Sequence, residues 1–269
     1  MAGTGPRFID VGGGAAARRI AYLHQPGSPP GLLWLQGFKS DMVSTKASAL
    51  AAWAEARKLA LTRFDYSGHG QSGGQFKDGT LGRWIEETRA VFERLTEGPQ
   101  VVVGSSMGGA IALALLKRLM AEHPAGAARI KALVLIAPAW DMTEELMWKQ
   151  FPEAIKRELM EKGVWMRPSQ HGDPYPITRG LIEDGRRHLI GNQRWNPGRP
   201  VMIVHGRLDP DVPFAHSEAL IGNLDGGWAR LVEVADGEHR LSRPEDIELL
   251  FGLIDNALAR ILAREGPLD

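Results

Sequence analysis

The sequence predicts an α/β protein, a mostly parallel sheet of eight strands flanked by helices, and three observations carry that prediction. Short continuous apolar runs recur at residues 32–35, 101–103, 131–136 and 201–204, as strands buried on both faces require. Stretches with helical spacing alternate with them, at 44–59, 80–95, 111–121 and 246–264. Finally, the chemistry-bearing residues gather in the loops that follow the runs, where an open parallel sheet places its ligands.

The bulk properties bound the rest. A chain of 269 residues, 43% hydrophobic and 24% charged, can bury one large core plus a modest insertion. Lysine plus arginine equals aspartate plus glutamate at 32 each, so nothing electrostatic calls for nucleic acid or an anionic membrane as partner. With no cysteine, disulfides and thiolate metal sites are excluded, which fits a reducing compartment. No apolar run approaches the roughly 18 residues that a membrane span needs. The N-terminus also lacks a long apolar segment, so a cytoplasmic protein without stable membrane insertion is expected.

Taken in order, residues 7–11 and 19–23 alternate in polarity on either side of Gly12-Gly13-Gly14 and predict an antiparallel hairpin at a sheet edge. The 32–35 strand ends in Gln36-Gly37-Phe38, a helix is expected over 44–59, and the 61–64 strand runs into a glycine-rich turn containing His69. A structural role is expected for His69. A helix over 80–95 leads to Val101-Val102-Val103-Gly104-Ser105-Ser106-Met107-Gly108-Gly109, in which a strand meets Gly-x-Ser-x-Gly and a helix follows. So tight a turn strains its central residue and needs glycine wherever a Cβ would strike the neighbouring strand or helix. Ser106 is thereby held out above the sheet as the candidate nucleophile. The N–H groups of Met107 and Phe38 are the expected oxyanion donors, although Gln36-Gly37-Phe38 also reads as a plain strand-to-helix connection.

Between the strand at 131–136 and the strand at 201–204 lie about sixty residues, too many for an ordinary crossover. This divides the chain into a core of 1–139 and 200–269 and an expected helical cap of 140–199. Trp140, Met147, Trp148, Phe151 and Trp165 are candidates for a hydrophobic substrate pocket, or else pack the insertion onto the body. An aromatic cap without a basic cluster points to medium or long acyl chains. The turn after 201–204 carries Asp209 and Asp211, and Asp209, nearer the strand end, is the candidate acid, with Asp211 in reserve. After the last strand, 231–234, comes His239 in Asp236-Gly237-Glu238-His239-Arg240. It follows both serine and acid and lies in a strand-end loop, where a general base belongs.

Gly104-x-Ser106-x-Gly108, His205-Gly206-x-x-Asp209-x-x-Val212-Pro213 and Gly237-x-His239 together resemble the α/β-hydrolase family over nearly the whole chain. A closer resemblance is to its mitochondrial acyl-glucuronide esterase and palmitoyl-protein thioesterase subgroup. It rests on Arg63-Phe64-Asp65-Tyr66-Ser67-Gly68, Thr80-Leu81-Gly82-Arg83-Trp84, Gly98-Pro99-Gln100, Lys162-Gly163-Val164-Trp165 and the segments around Ser106 and His239. The resemblance implies a Ser106, Asp209 and His239 triad that hydrolyses acyl esters or acyl thioesters. Two departures stand out: Gln36-Gly37 replaces the His-Gly of many α/β-hydrolases, and no mitochondrial presequence is recognisable. The expectation is a serine hydrolase working through an acyl-enzyme, with neither metal nor cofactor. A peptidase or amidase on the same fold, and a non-catalytic ligand-binding protein that kept the fold, are the alternatives.

Overall fold

The computed structural model describes residues 5–169, 173–191, 193–263 and 266–268. In chain order its strands are β1 (Arg7–Val11), β2 (Arg18–Gln25), β3 (Ser28–Leu35), β4 (Leu59–Phe64), β5 (Gln100–Ser105), β6 (Ile130–Ile136), β7 (Val164–Arg167), β8 (Tyr175–Thr178), β9 (Val201–Gly206) and β10 (Ala229–Val234). Eight of them form one sheet in the order β1-β2-β4-β3-β5-β6-β9-β10. The β1–β2 and β2–β4 pairs are antiparallel and every other pair in this sheet is parallel, as the edge hairpin and the apolar runs predict.

Strand order reverses around β3, which lies between β4 and β5. The chain steps one way from β3 to β4 and then crosses back to β5. Loops leaving the carboxyl ends of β3 and β5 therefore diverge and leave a crevice between them, the topological switch point at which open α/β sheets bind ligands. Phe38 follows β3 and Ser106 follows β5, so both oxyanion candidates and the candidate nucleophile open onto that crevice.

The α-helices are α1 (Thr45–Ala56), α2 (Leu81–Leu95), α3 (Met107–Glu122), α4 (Pro124–Ala127), α5 (Glu153–Lys162), α6 (Arg179–Gly185), α7 (Phe214–Asn223) and α8 (Pro244–Ala263), beside short 3-10 and π-helical turns. Alternation along each strand sends side chains to opposite faces. Leu32 and Trp34 join a cluster with α1 and α8, whereas Leu33 and Leu35 join a larger one with α2 and α3. Every residue of α3 from Met107 to Leu116 is buried, which explains its Ala- and Leu-rich, weakly amphipathic sequence.

The segment between β6 and β9 is not purely helical. Besides α5 and α6 it contains an antiparallel hairpin of β7 and β8, with Trp165 opposite Ile177. Each strand is only four residues long, β8 carries Pro176, and the apolar Val164 and Met166 face outward, so neither strand shows the alternation that identifies one. Nor does the insertion have a core of its own. Trp140, Met147, Phe151, Leu159, Ile177, Leu181 and Ile190 belong to the same cluster as α2 and α3.

Candidate active site

Ser106 links β5 to α3 with φ 53° and ψ −115°, a strained conformation for a residue with a side chain. The flanking glycines make it possible. A Cβ on Gly104 would lie 2.5 Å from the carbonyl oxygen of Gly108, and one on Gly108 would lie 2.1 Å from that of Leu35 on β3. Strand and helix could not close to this distance around any larger residue. The strained backbone is secured by hydrogen bonds: the Ser106 N–H donates to the Ile136 carbonyl at 2.8 Å, and its own carbonyl accepts from Gly109 and Ala139.

Three residues distant in sequence meet here. His239 Nε2 lies 3.1 Å from Ser106 Oγ, and His239 Nδ1 lies 2.7 Å from Asp209 Oδ2. Asp209 Oδ1 accepts the N–H groups of Asp211 and Val212 at 2.8 Å each. The expected order of serine, acid and histidine is thus also a hydrogen-bonded order in space. Asp211, the reserve acid, is exposed and contributes only its N–H to Asp209. Burial alone would push the Asp209 carboxyl up, but hydrogen bonds from His205 and His239 and the charge of His239 outweigh it and hold the carboxyl well below the usual carboxylate range. His205 is a partner that sequence reasoning placed in a motif without giving it a role.

Met107 is the first residue of α3, so no carbonyl one turn back exists to take its N–H. The Phe38 N–H makes no hydrogen bond among the described residues. The loop lies against the serine, and a Cβ on Gly37 would stand 3.4 Å from Ser106 Cβ, in ordinary van der Waals contact. The Phe38 ring is braced edge-on by Phe76, Trp84 and His69, and by Tyr175 from β8. His69, buried in that cluster, donates from Nδ1 to the Ser67 carbonyl at 3.2 Å, and burial lowers its pKa to about 4, so it is a neutral packing residue at pH 7.

A cavity of about 360 Å³ opens beside Ser106 and His239. Its walls are mostly hydroxyls and cations, with Lys39, Lys46 and Arg240 among them and no carboxylate. These cations come from the body of the fold and not from the insertion, whose lack of a basic cluster is the basis for expecting medium or long acyl chains. The three residues come from the loop after β3, the start of α1 and the loop after β10, so no stretch of sequence displays them as a group. None of the five aromatic and methionine candidates from the insertion lines this cavity. Trp140 stacks on His216 and donates its indole N–H to the His216 carbonyl at 2.8 Å. Met147 is buried, Phe151 packs edge-on against Trp165, and Trp148 lies half-buried against the main cluster. Asp209, Asp211 and His239 also lie close enough together to hold a cation, but two of them are committed to the hydrogen bonds just described.

A family model described as serine aminopeptidase, S33, matches residues 35–181, more than half of the chain. The chain belongs to this family of the α/β-hydrolase superfamily, and it is a hydrolase. Human palmitoyl-protein thioesterase ABHD10, a mitochondrial protein, is 30% identical over 90% of this chain and 77% of its own length. Among solved structures, a provisionally assigned hydrolase from Agrobacterium vitis S4 is 40% identical with a TM-score of 0.90, covering 94% of this chain and 98% of that one. Mouse α/β-hydrolase domain-containing protein 10 is 27% identical with a TM-score of 0.83, covering 96% of this chain and 100% of that one.

Proposed function

We propose that the protein hydrolyses acyl esters or acyl thioesters through an acyl-enzyme formed on Ser106. The observation that carries this reading is the unbroken chain of contacts from Ser106 Oγ through His239 to Asp209. His239 Nε2 takes the hydroxyl proton as Oγ attacks the acyl carbon, Asp209 holds the imidazole with its hydrogen on Nδ1, and the negative oxygen develops toward the N–H groups of Met107 and Phe38. His239 then returns the proton to the departing alcohol or thiol, and a water activated by the same imidazole cleaves the acyl-enzyme. The insertion acts on the site indirectly, through Tyr175, which braces the ring of Phe38 on the oxyanion loop.

The cavity's chemistry distinguishes this reading from that of an aminopeptidase. A free α-ammonium group needs a carboxylate to hold it, whereas the cavity presents Lys39, Lys46 and Arg240. Those cations suit a leaving group that carries an anion or many hydroxyls. The relative named as a palmitoyl-protein thioesterase supports acyl transfer to water as the reaction class.

The test is an active-site fluorophosphonate probe followed by a substrate panel. Wild type is expected to label and Ser106→Ala not to, and Ser106→Ala or His239→Ala should lower kcat by on the order of 10⁴-fold. Absence of labelling in both forms would favour a binding protein. The panel sets neutral p-nitrophenyl esters of rising chain length beside an acyl thioester, an acyl glucuronide and an aminoacyl anilide; preference for the anilide would favour the peptidase. A cytoplasmic location belongs to the same proposal, and subcellular fractionation beside a mitochondrial marker tests it.

A further inference from the structure

We propose that His205 is a positioning residue of the triad, one that fixes the Asp209 carboxylate and tempers its pull on His239. The inference rests on the hydrolase reading above. His205 is the last residue but one of β9 and is fully buried, as is Ser217 on α7 beside it. Its Nε2 faces two oxygens, Asp209 Oδ2 at 3.0 Å and the Val212 carbonyl at 2.9 Å. A carboxylate and a carbonyl can only accept, so Nε2 must carry the hydrogen. Its Nδ1, 2.7 Å from Ser217 Oγ, then accepts from that hydroxyl. Both nitrogens of the ring are committed, and one of them is committed to the very oxygen that holds His239.

The Asp209 carboxylate thus receives four hydrogen bonds, two on each oxygen, from His205, His239 and the N–H groups of Asp211 and Val212. Two carboxylate oxygens offer about four lone-pair sites, so no rotation of the group leaves its donors better satisfied. The donor from His205 also draws negative charge away from Oδ2, which lessens how strongly Asp209 stabilises the His239 imidazolium. The other groups facing His205 are Phe214, whose ring centroid is 5.5 Å away, and His216, whose pKa is lowered chiefly by burial and in part by His205. His205 touches neither the cavity nor the serine. It acts through Asp209 alone.

The test compares wild type, His205→Leu and His205→Gln by kcat, KM and the pH profile of kcat/KM, with thermal melts in parallel. Removing the donor frees the Asp209 carboxylate to turn, and the misaligned triad should lower kcat roughly 10- to 100-fold with KM unchanged. It should also move the acid limb of the profile to higher pH, because a more basic Asp209 holds the His239 proton longer. Glutamine, whose amide N–H reaches the Nε2 position, should restore most of both. Folded leucine and glutamine variants with equal losses and an unmoved acid limb would make His205 a packing residue and overturn the proposal. Nitrogen-15 NMR of wild-type His205 decides the contact even if neither variant folds: a hydrogen on Nε2 is expected, and a hydrogen on Nδ1 alone would sink it. Should Ser106→Ala keep full activity, the hydrolase reading would fall while the tautomer measurement still reported on the contact.

Discussion

Lys46 links two features of the site that are separate in the sequence. Its ammonium group donates to the Arg240 carbonyl and, at 3.2 Å, to Ser242 Oγ, so it ties the start of α1 to the loop that carries His239. It also faces the cavity. Burial, with Arg240 adding to it and Asp246 opposing, lowers its pKa to about 8. The lysine is therefore charged below pH 8 and loses its proton as pH rises through that value. For an ester whose leaving group is anionic, KM is expected to rise roughly two- to fivefold between pH 7 and pH 9, the scale of a partly exposed ion pair. A neutral ester of equal length should show no such step. Lys46→Arg keeps its charge across the range and should abolish the rise. Steady-state kinetics on the two esters checks this, and a step of equal size on both would place its cause elsewhere.

At the scale of elements, glycine has two opposite meanings. Gly108 lies where α3 presses on β3, and a Cβ there would sit 2.1 Å from the Leu35 carbonyl oxygen, so Gly108→Ala should cost about 3 kcal/mol or more, or prevent folding. Gly252 is an exposed residue inside α8 with open space where its Cβ would be, and Gly252→Ala should stabilise by about 0.5–1 kcal/mol because the helix no longer restrains so flexible a residue. Denaturant titration of both variants checks the pair. The same distinction governs what could be read in advance. The strands of the main sheet and the strand–serine–helix turn were legible because double burial and a steric limit leave direct marks in residue type. The hairpin of β7 and β8 was not, since its outward Val164 and Met166 invert the usual pattern, and α7, with Gly222 near its end, went unread. The order of Ser106, Asp209 and His239 was legible because chain order maps onto strand order. The role of His205 and the grouping of Lys39, Lys46 and Arg240 are tertiary facts, carried by loops that only folding brings together.

For the whole molecule, the question is whether residues 140–199 move as a lid or unfold with the body. The contacts favour the second. Leu181 and Ile182 of α6 share the cluster that holds α2 and α3, and the Gly82 N–H at the start of α2 donates to Asp184 at 2.6 Å. Arg118 on α3 reaches His188 at 2.6 Å, and His188 lies 3.4 Å from Asp184, so the junction is polar at its edge and apolar at its centre. Burial opposes ionisation of Asp184, but the hydrogen bonds from His188 and Gly82 prevail and hold its carboxyl well below the usual range. A lid that opened would have to expose this apolar surface and strip that carboxylate of its donors. Equilibrium unfolding is therefore expected to be one cooperative transition, followed alike by far-ultraviolet dichroism and by tryptophan fluorescence, to which the insertion contributes Trp140, Trp148, Trp165 and Trp195 of the chain's eight. Leu181→Ala, a truncation of a side chain only 3% exposed, should shift that whole transition by roughly 5 °C or more. An autonomous lid would give a different result: two transitions, the variant moving only the earlier one, and fluorophosphonate labelling of Ser106 that survives the first.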